Sequence, residues 1–269
     1  MFQRLYELGQ ILPGGAPWEC FNEGMPDNYD RGLAICFDVD GNYAGIKTRY
    51  GSADVVYRSG PPNGADFTPC SKLTVVPKTV SRIRRALKDL QETTELEEGQ
   101  KEWLANVFLQ YEQLIREIES DVEEQVGAAG IDKDHRGYLF LAAYEDDLIA
   151  PIYEWQAAKS WMVTKALQSF GRHKKQTILD EEKACSVCGE INHKVFGNFS
   201  VLACYNLDKA GTIPGGFSRT RSAQNFPVCY ECAPLLAHAI TYSHRKLRGS
   251  SSGQQYLILP FSSLPEHRE

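Results

Sequence analysis

Residues 33–50 read LAICFDVDGNYAGIKTRY, two runs of strand-forming residues joined around Asp40 and Gly41, and what the chain does at that joint decides the fold. Asp-Gly tolerates positive φ at both central positions of a tight turn, so the stretch reads as a β-hairpin with strands over 32–39 and 43–50. A rival reading keeps the first strand but takes Asp38 and Asp40 as a pair of catalytic carboxylates at its end. YAGIKTRY argues for the hairpin, because it runs straight back as a strand where a helix would have to open.

Outward from the hairpin the pattern alternates. A short amphipathic helix over 2–11 stops at Pro13, Gly14 and Gly15. A third strand is predicted over 54–58, then a turn-rich loop, SGPPNGADFTP (59–69). Helices follow over 80–90 and 95–126. The second spaces Leu104, Val107, Phe108, Tyr111, Leu114, Ile115, Ile118 and Val122 by threes and fours, giving one apolar face and one densely acidic face. YLFLAAYEDD (138–147) opens as a strand, and Pro151 stands where the first residue of a helix running to Phe170 belongs. The chain closes with GSSSG (249–253), read as a small linker, and a strand-like YLILP (256–260). The expected fold is α+β: a mixed N-terminal sheet with helices over 1–170, then a zinc-ribbon-like four-cysteine lobe over 171–269 with a helix and a last strand that returns to the first domain.

A composition of 42% hydrophobic and 24% charged residues is ordinary for a globular chain of 269 residues. Residues 1–15 lack the basic start and apolar run of a signal peptide, and no stretch reaches the ~20 apolar residues of a membrane helix. A soluble, cytoplasmic protein is expected, in which eight cysteines serve as metal ligands and buried thiols instead of disulfides. The net charge of −6 is unevenly spread. Nine Lys/Arg oppose two Asp between Lys47 and Lys88, two oppose twelve acidic residues between Asp89 and Glu124, and eleven oppose six between Arg172 and Arg248. Two basic segments flanking an acidic one allow a chain that is acidic overall to hold a polyanion locally.

CSVCGE (185–190) and PVCYECA (227–233) carry the strongest chemical signal. Two CxxC pairs let Cys185, Cys188, Cys229 and Cys232 converge tetrahedrally on Zn²⁺, and four protein ligands leave no open position, so the metal is structural. The 40 residues between Cys188 and Cys229 exceed the ~15–20 of compact ribbons, so the insert carries structure of its own. Cys20, Cys36, Cys70 and Cys204 stand alone and read as buried thiols. The insert YNLDKAGTIPGGFSRTRSAQNFP (205–227) sets Lys209, Arg219 and Arg221 among glycines and beside Phe217 and Phe226. Such a loop suits nucleic acid, since glycines admit phosphate, arginines fork onto it and aromatics stack on bases.

Two resemblances follow. The Asp38/Asp40 pair resembles the opening of a magnesium-dependent haloacid-dehalogenase-like phosphotransferase, which would place Asp38 as nucleophile, Asp40 as general acid and base, and Asp146 and Asp147 as the magnesium carboxylates. Asn42 departs from it, standing where that family has threonine. Across most of the chain, YRSGPPNGADFTPCSKLT (57–74), CSVCGE, YNLDKAGTIPGGF (205–217), NFPVCYECA (225–233) and YLILP, taken in order, resemble the N-terminal part of the large subunit of type I-B CRISPR Cascade complexes. This second resemblance implies a binding subunit without a catalytic centre. Its partners are the CRISPR guide RNA, target double-stranded DNA, the Cascade backbone and handle-binding subunits, and either a helicase-nuclease or a transposition protein. Such a subunit contacts the RNA 5′ handle and reads the short motif flanking the target. It assigns Arg58 and Lys72 to RNA phosphates, with Arg82, Arg84 and Arg85 extending that surface, and Lys209, Arg219, Arg221 and Asn225 to DNA near the flanking motif. Members commonly continue into a helical C-terminal region that these 269 residues do not include, and the contacts it makes are not carried over. A zinc-stapled scaffold that binds only proteins through the acidic helix is the remaining alternative.

Overall fold

A computed structural model describes residues 2–12, 16–61, 64–170, 172–173, 176–177, 179–180, 182–192, 195–196, 199 and 226–259. The 33–50 stretch is a hairpin. β1 (Arg31–Phe37) and β2 (Tyr43–Tyr50) pair antiparallel from Arg31↔Tyr50 to Phe37↔Tyr43. The turn closes through Gly41 N–H to the Asp38 carbonyl at 3.0 Å and Asp38 N–H to the Asn42 carbonyl at 2.9 Å. The Asp38 carboxylate serves the turn, accepting from the N–H groups of Asp40 at 3.0 Å and Asn42 at 2.8 Å and from the Asn42 side-chain amide at 3.1 Å. Desolvation pushes this carboxyl up, but those donors outweigh it and leave it below the usual carboxylate range. Gly41 has φ +82°, and a Cβ there would lie 2.8 Å from the Asn106 Cβ. Gly41→Ala is therefore expected to cost about 1–3 kcal/mol in chemical denaturation; a loss too small to measure would mean that the turn is not strained against the helix beneath it.

β1 also pairs in parallel with β4 (Gly137–Glu145), Arg31↔Gly137 through Phe37↔Ala143. Two short strands share the other edge of β4: β3 (Cys70–Lys72) along residues 138–140 and β5 (Leu148–Pro151) along 142–145. This mixed sheet runs β2-β1-β4-β3 with β5 on β4. Asp146 and Asp147 have φ of +48° and +63° and form the two-residue turn between β4 and β5. Both acidic motifs thus sit in hairpin turns.

The chain crosses from β3 to β4 through α3 (Val76–Gln91), α4 (Glu98–Gln113) and α5 (Ile115–Ala128). The single helix expected over 95–126 breaks at Leu114, whose φ/ψ of −107°/17° leaves the helical region. Length supplies the reason: an unbroken helix of that span would be about 48 Å long, whereas a strand of the size of β4 covers about 30 Å. Breaking it lets Leu104, Val107 and Tyr111 of α4 and Ile118 and Val122 of α5 all reach the core. They pack with Val80, Ile83 and Leu87 of α3 against Leu33, Ile35, Phe37, Leu139 and Leu141, one face of the two parallel strands. Tyr111, fully buried, donates its O–H to the Val80 carbonyl at 2.9 Å.

Three further expectations are corrected. Residues 54–58 form no strand; Tyr57 is held by the N–H groups of Glu23 and Gly24 on its carbonyl and by Asn22 on its N–H. Pro151 ends β5 and precedes a 3₁₀ turn (Ile152–Glu154), so α6 (Gln156–Phe170) starts later than the proline implied. Among the described residues the closing strand, Gln254–Leu257, pairs with Arg248–Ser251 and not with the N-terminal sheet.

The chain divides into a sheet unit, Asn22–Thr164, and a cysteine unit, Met1–Phe21 with Lys165–Glu269. This division groups the N-terminal residues and the end of α6 with the cysteines, where the sequence division fell at 170/171. Phe170 has an aromatic reason to belong there: its ring centroid lies 6.1 Å from Phe21, 5.7 Å from Phe196 and 4.9 Å from Phe199. The cysteine unit contains α1 (Phe2–Ile11), α2 (Pro17–Phe21) and α7 (Cys232–Lys246). Its short strands are β6 (Arg172–His173) with β7 (Gln176–Thr177), β9 (Lys183–Ala184) with β10 (Ile191–Asn192), and a triplet of β8 (Leu179–Asp180), β11 (Val195–Phe196) and β12 (Val228–Cys229) in the order β12-β11-β8. GSSSG is no linker: β13 (Arg248–Ser251) turns through Ser252 and Gly253, both with positive φ, into β14 (Gln254–Leu257). Among the described residues no helix is long and apolar enough to cross a membrane.

Candidate metal centre and basic surface

The β9–β10 hairpin holds the first cysteine pair in a tight knuckle. Cys185 N–H donates to the Glu190 carbonyl at 2.8 Å, Gly189 N–H donates to the Cys185 carbonyl at 2.9 Å, and Gly189 takes φ +78°. The second pair lies where β12 runs into α7, with Cys232 as the first residue of the helix, a position where backbone N–H groups favour an ionised thiolate. Ser186 N–H to the Pro227 carbonyl at 2.8 Å ties the two turns together. As a result the sulfurs of Cys185, Cys188, Cys229 and Cys232 all lie within 4.8 Å of one another, and all but Cys188 are buried.

This geometry fits a metal. Four thiolates at Zn–S distances of about 2.3 Å stand roughly 3.8 Å apart, a modest contraction of the observed cluster. Backbone donors are already aimed at the sulfurs: Val187 N–H at 3.4 Å and Cys229 N–H at 3.3 Å on Cys185 Sγ, and Cys232 N–H at 3.4 Å on Cys229 Sγ. A hydrogen bond from Cys232, followed by the backbone donors, brings Cys185 down to about 4, and the same shared proton pushes Cys232 far up. A bound cation replaces such protons and ionises all four. Among the described residues this is the one group of three or more acidic, histidine or cysteine side chains gathered as a metal requires; Asp38, Asp40, Asp146 and Asp147 form no such group.

The basic residues assigned from sequence occupy varied settings. Arg58 is 8% exposed, its guanidinium 3.7 Å from Glu23. It lies at the mouth of the glycine-proline loop, which closes on buried Asp66: the carboxylate accepts from Gly60 N–H at 3.0 Å and Ser71 O–H at 2.5 Å. Lys72 Nζ sits 4.9 Å from the Tyr57 ring centroid and 5.6 Å from that of Tyr29. On α3, Arg84 is paired in a fork with Glu112 of α4, Arg82 is half-buried, and Arg85 is exposed with Nε donating to the Ser81 carbonyl at 3.2 Å. Lys209, Arg219, Arg221 and Asn225 lie outside the described residues, as does Cys204.

Near Lys72 the sheet end gathers a group that sequence reasoning missed. Arg-Gly marks the start of both parallel strands, Arg31-Gly32 opening β1 and Arg136 standing immediately before Gly137, the first residue of β4, and the parallel register sets Arg31 opposite Gly137. Arg31 lies 5.2 Å from the ring of Tyr50, which is 68% exposed, and Arg136 lies 5.7 Å from the ring of Tyr29. Asp30 anchors the group, 2.7 Å from Arg31 and 2.8 Å from His135 Nδ1; the His135 hydrogen bond is the chief influence holding its carboxyl below the usual range. The repeated Arg-Gly was the visible signal, but only strand pairing makes it spatial.

Comparison with known families locates the chain. The model of the CRISPR-associated protein TM1802 N-terminal domain matches residues 1–141, and that of the TM1802 central domain matches residues 182–267. Comparison with curated proteins and with solved structures finds no significant match. The first family match covers more than half of the 269 residues and the second spans all four clustered cysteines, so the chain belongs to the CRISPR-associated TM1802 family.

Proposed function

We propose that this chain is a non-catalytic large subunit of a CRISPR RNA-guided surveillance complex of type I-B, contacting the 5′ handle of the guide RNA and recognising the target-flanking motif in double-stranded DNA. Family membership across both units is the observation that carries this reading. Base pairing between guide and target then reads the long sequence, and protein reads only the short motif and the shape around it. The four cysteines hold structural Zn²⁺, which has no open coordination position, and Lys209, Arg219, Arg221 and Asn225, which lie between the two cysteine pairs in sequence, contact DNA near the flanking motif. Its remaining partners are the Cascade backbone and handle-binding subunits, and a helicase-nuclease or transposition protein.

The sheet-end group favours RNA over a purely proteinaceous partner. Lys72 and Arg136 can neutralise phosphates, Tyr50 offers an exposed ring for base stacking, and Arg31 lies close to that ring. Arg82 and Arg85 extend the surface along α3. Arg58 and Arg84, each beside a glutamate, contribute through those pairs to the shape of the surface.

Purification of the chain with its complex, followed by sequencing of bound RNA, tests the assignment: a discrete guide with a common 5′ handle is expected. Affinity for that RNA should fall steeply with salt, and Lys72→Glu with Arg136→Glu should lower the slope of log K against log[salt] by about 2. Arg219→Glu with Arg221→Glu should weaken binding to duplex carrying the flanking motif while leaving handle binding intact. A complex that co-purifies free of RNA would instead support the protein-binding scaffold.

A further inference from the structure

We propose that His135, held in place by Asp30, accepts a hydrogen bond from the ribose 2′-hydroxyl of single-stranded RNA lying across the end of the mixed sheet, and so gives this surface a preference for RNA over DNA. The inference rests on reading the sheet-end group as an RNA surface and adds the residue that selects the sugar.

Strand register builds the row. β1 and β4 run parallel while β2 and β3 run antiparallel to them, so Tyr50, Arg31, Arg136 and Lys72 all come to one end of the sheet, in the order β2-β1-β4-β3. Adjacent strands stand about 4.8 Å apart, which makes the row roughly 14 Å long. The backbone beneath it is tied together: Arg31 N–H donates to the Arg136 carbonyl at 3.2 Å, Arg136 N–H to the Asn28 carbonyl at 2.8 Å, and Gly51 N–H to the Asp30 carbonyl at 2.9 Å. Tyr50 offers an exposed ring at one end, and Tyr29, beside both Arg136 and Lys72, a half-buried ring towards the other. Rings can hold bases only by their open faces, so the strand that fits is unpaired.

Asp30 and His135 precede the two arginines and meet in the middle of this row. Asp30, 2.7 Å from Arg31, is a carboxylate and can only accept, so the imidazole presents its Nδ1 proton to Asp30 Oδ2 at 2.8 Å. In the neutral ring that leaves Nε2 as the acceptor. The backbone is fixed as well: the N–H groups of Asp134 and His135 both donate to the Asp132 carboxylate at 2.8 Å, and Asp132 N–H donates to the His135 carbonyl at 2.9 Å. The side chain nonetheless stays 51% exposed. A negative Asp30 repels phosphate from the middle of the row and leaves phosphates to Arg136 and Lys72, so the sugar is what meets His135. Ribose brings a hydroxyl donor there and deoxyribose does not. An exposed pair of this kind adds little to stability, so removing it should change selection and leave the fold intact.

Fluorescence anisotropy on the full chain, at a pH where histidine is neutral, tests this with three probes that share base and charge: a short oligouridylate, its deoxy counterpart and its 2′-O-methyl counterpart. The first should bind roughly 3–10-fold tighter than the other two, the value of one hydrogen bond. His135→Ala should bring RNA down to the level of DNA, with DNA affinity and the salt slope unchanged because no phosphate contact is lost. Asp30→Ala should free Arg31, tightening all three probes and raising the salt slope by about 1, while the preference for RNA shrinks because His135 is no longer oriented. A preference that survives His135→Ala or Asp30→Ala intact, a 2′-O-methyl probe that binds as tightly as RNA, or a wild type that binds all three equally overturns the proposal. A wild type that binds none of them at low salt, or whose binding is untouched by Lys72→Glu with Arg136→Glu, sinks the RNA reading of the surface itself, a result distinct from those.

Discussion

Metal removal by a strong chelator is expected to abolish cooperative structure in the cysteine unit, Met1–Phe21 with Lys165–Glu269, while Asn22–Thr164 keeps its own unfolding transition. Among the described residues little else holds that unit together. Its described strands are two to four residues long, and such strands are marginal by themselves. The apolar material of these residues is an aromatic cluster around Phe170, buried Val195 and Val228, and the apolar faces of α1 and α7. A structural Zn²⁺ bound by cysteines contributes on the order of 10 kcal/mol of apparent folding free energy near neutral pH, as much as the whole stability of a typical domain. Cys229→Ala should act like chelation, because Cys229 is buried at 1% exposure between β12 and α7 and its sulfur accepts the Cys232 N–H. Cys188→Ala, at the exposed corner, should weaken metal binding and retain residual structure. Because the ligands bind as thiolates, metal affinity and stability should both fall as pH is lowered, with protons displacing the metal. Hydrogen exchange resolved by peptide is the measurement: α7 and α1 should lose protection while β1, β4 and α4 retain it. Equal protection before and after chelation would mean that the lobe is held by its apolar contacts alone.

What the sequence made legible was local. Asp40-Gly41 announced the hairpin and the two CxxC pairs announced the four-cysteine cluster, since turn chemistry and ligand spacing act over a few residues. The apolar stripe over 104–122 correctly identified the buried face but not the break at Leu114, because periodicity continues through a bend that keeps both faces inward. Pro151 misled for a related reason: a fixed φ near −65° suits the first turn of a helix and the end of a strand equally. β3 and β5 were too short, at three and four residues, to show alternation, and the partner of β3 in β4 is distant in sequence. Non-local pairing also hid the sheet-end group, since Arg31 and Arg136 become neighbours only through the parallel register of β1 with β4. The same holds for α1, whose ten residues look like an isolated amphipathic helix until α7 is set beside them.

Phe37→Ala should destabilise the sheet unit by about 3–5 kcal/mol, the largest loss expected from a single substitution there. The residue ends β1, is fully buried, and stands at the junction of three aromatic neighbours: Tyr43 at 5.8 Å, Tyr111 at 6.4 Å and Trp103 at 6.5 Å between ring centroids. None can collapse into the space left by the ring. Tyr111 is tied through its O–H to the Val80 carbonyl, Trp103 donates its indole N–H to the Asp38 carbonyl at 2.8 Å, and Tyr43 donates to Asp121 at 2.8 Å. A cavity lined by three hydrogen-bonded rings stays open, which places the cost in the upper part of the range for aromatic truncation. Phe37→Leu fills most of the volume and should cost about 1.5 kcal/mol or less. Denaturant unfolding followed by tryptophan fluorescence reports both, Trp103 lying against the altered site. The consequence reaches the basic surface, because Phe37 anchors the same strand whose first residue, Arg31, is registered against Tyr50 and Gly137. Loosening β1 at its far end should therefore weaken RNA binding at temperatures where the unit is still folded, without changing the number of phosphate contacts and hence without changing the salt slope. An Ala variant as stable as the Leu variant would show that the three rings do close around the gap, and with it that the hairpin end of β1 is not a fixed point of the fold.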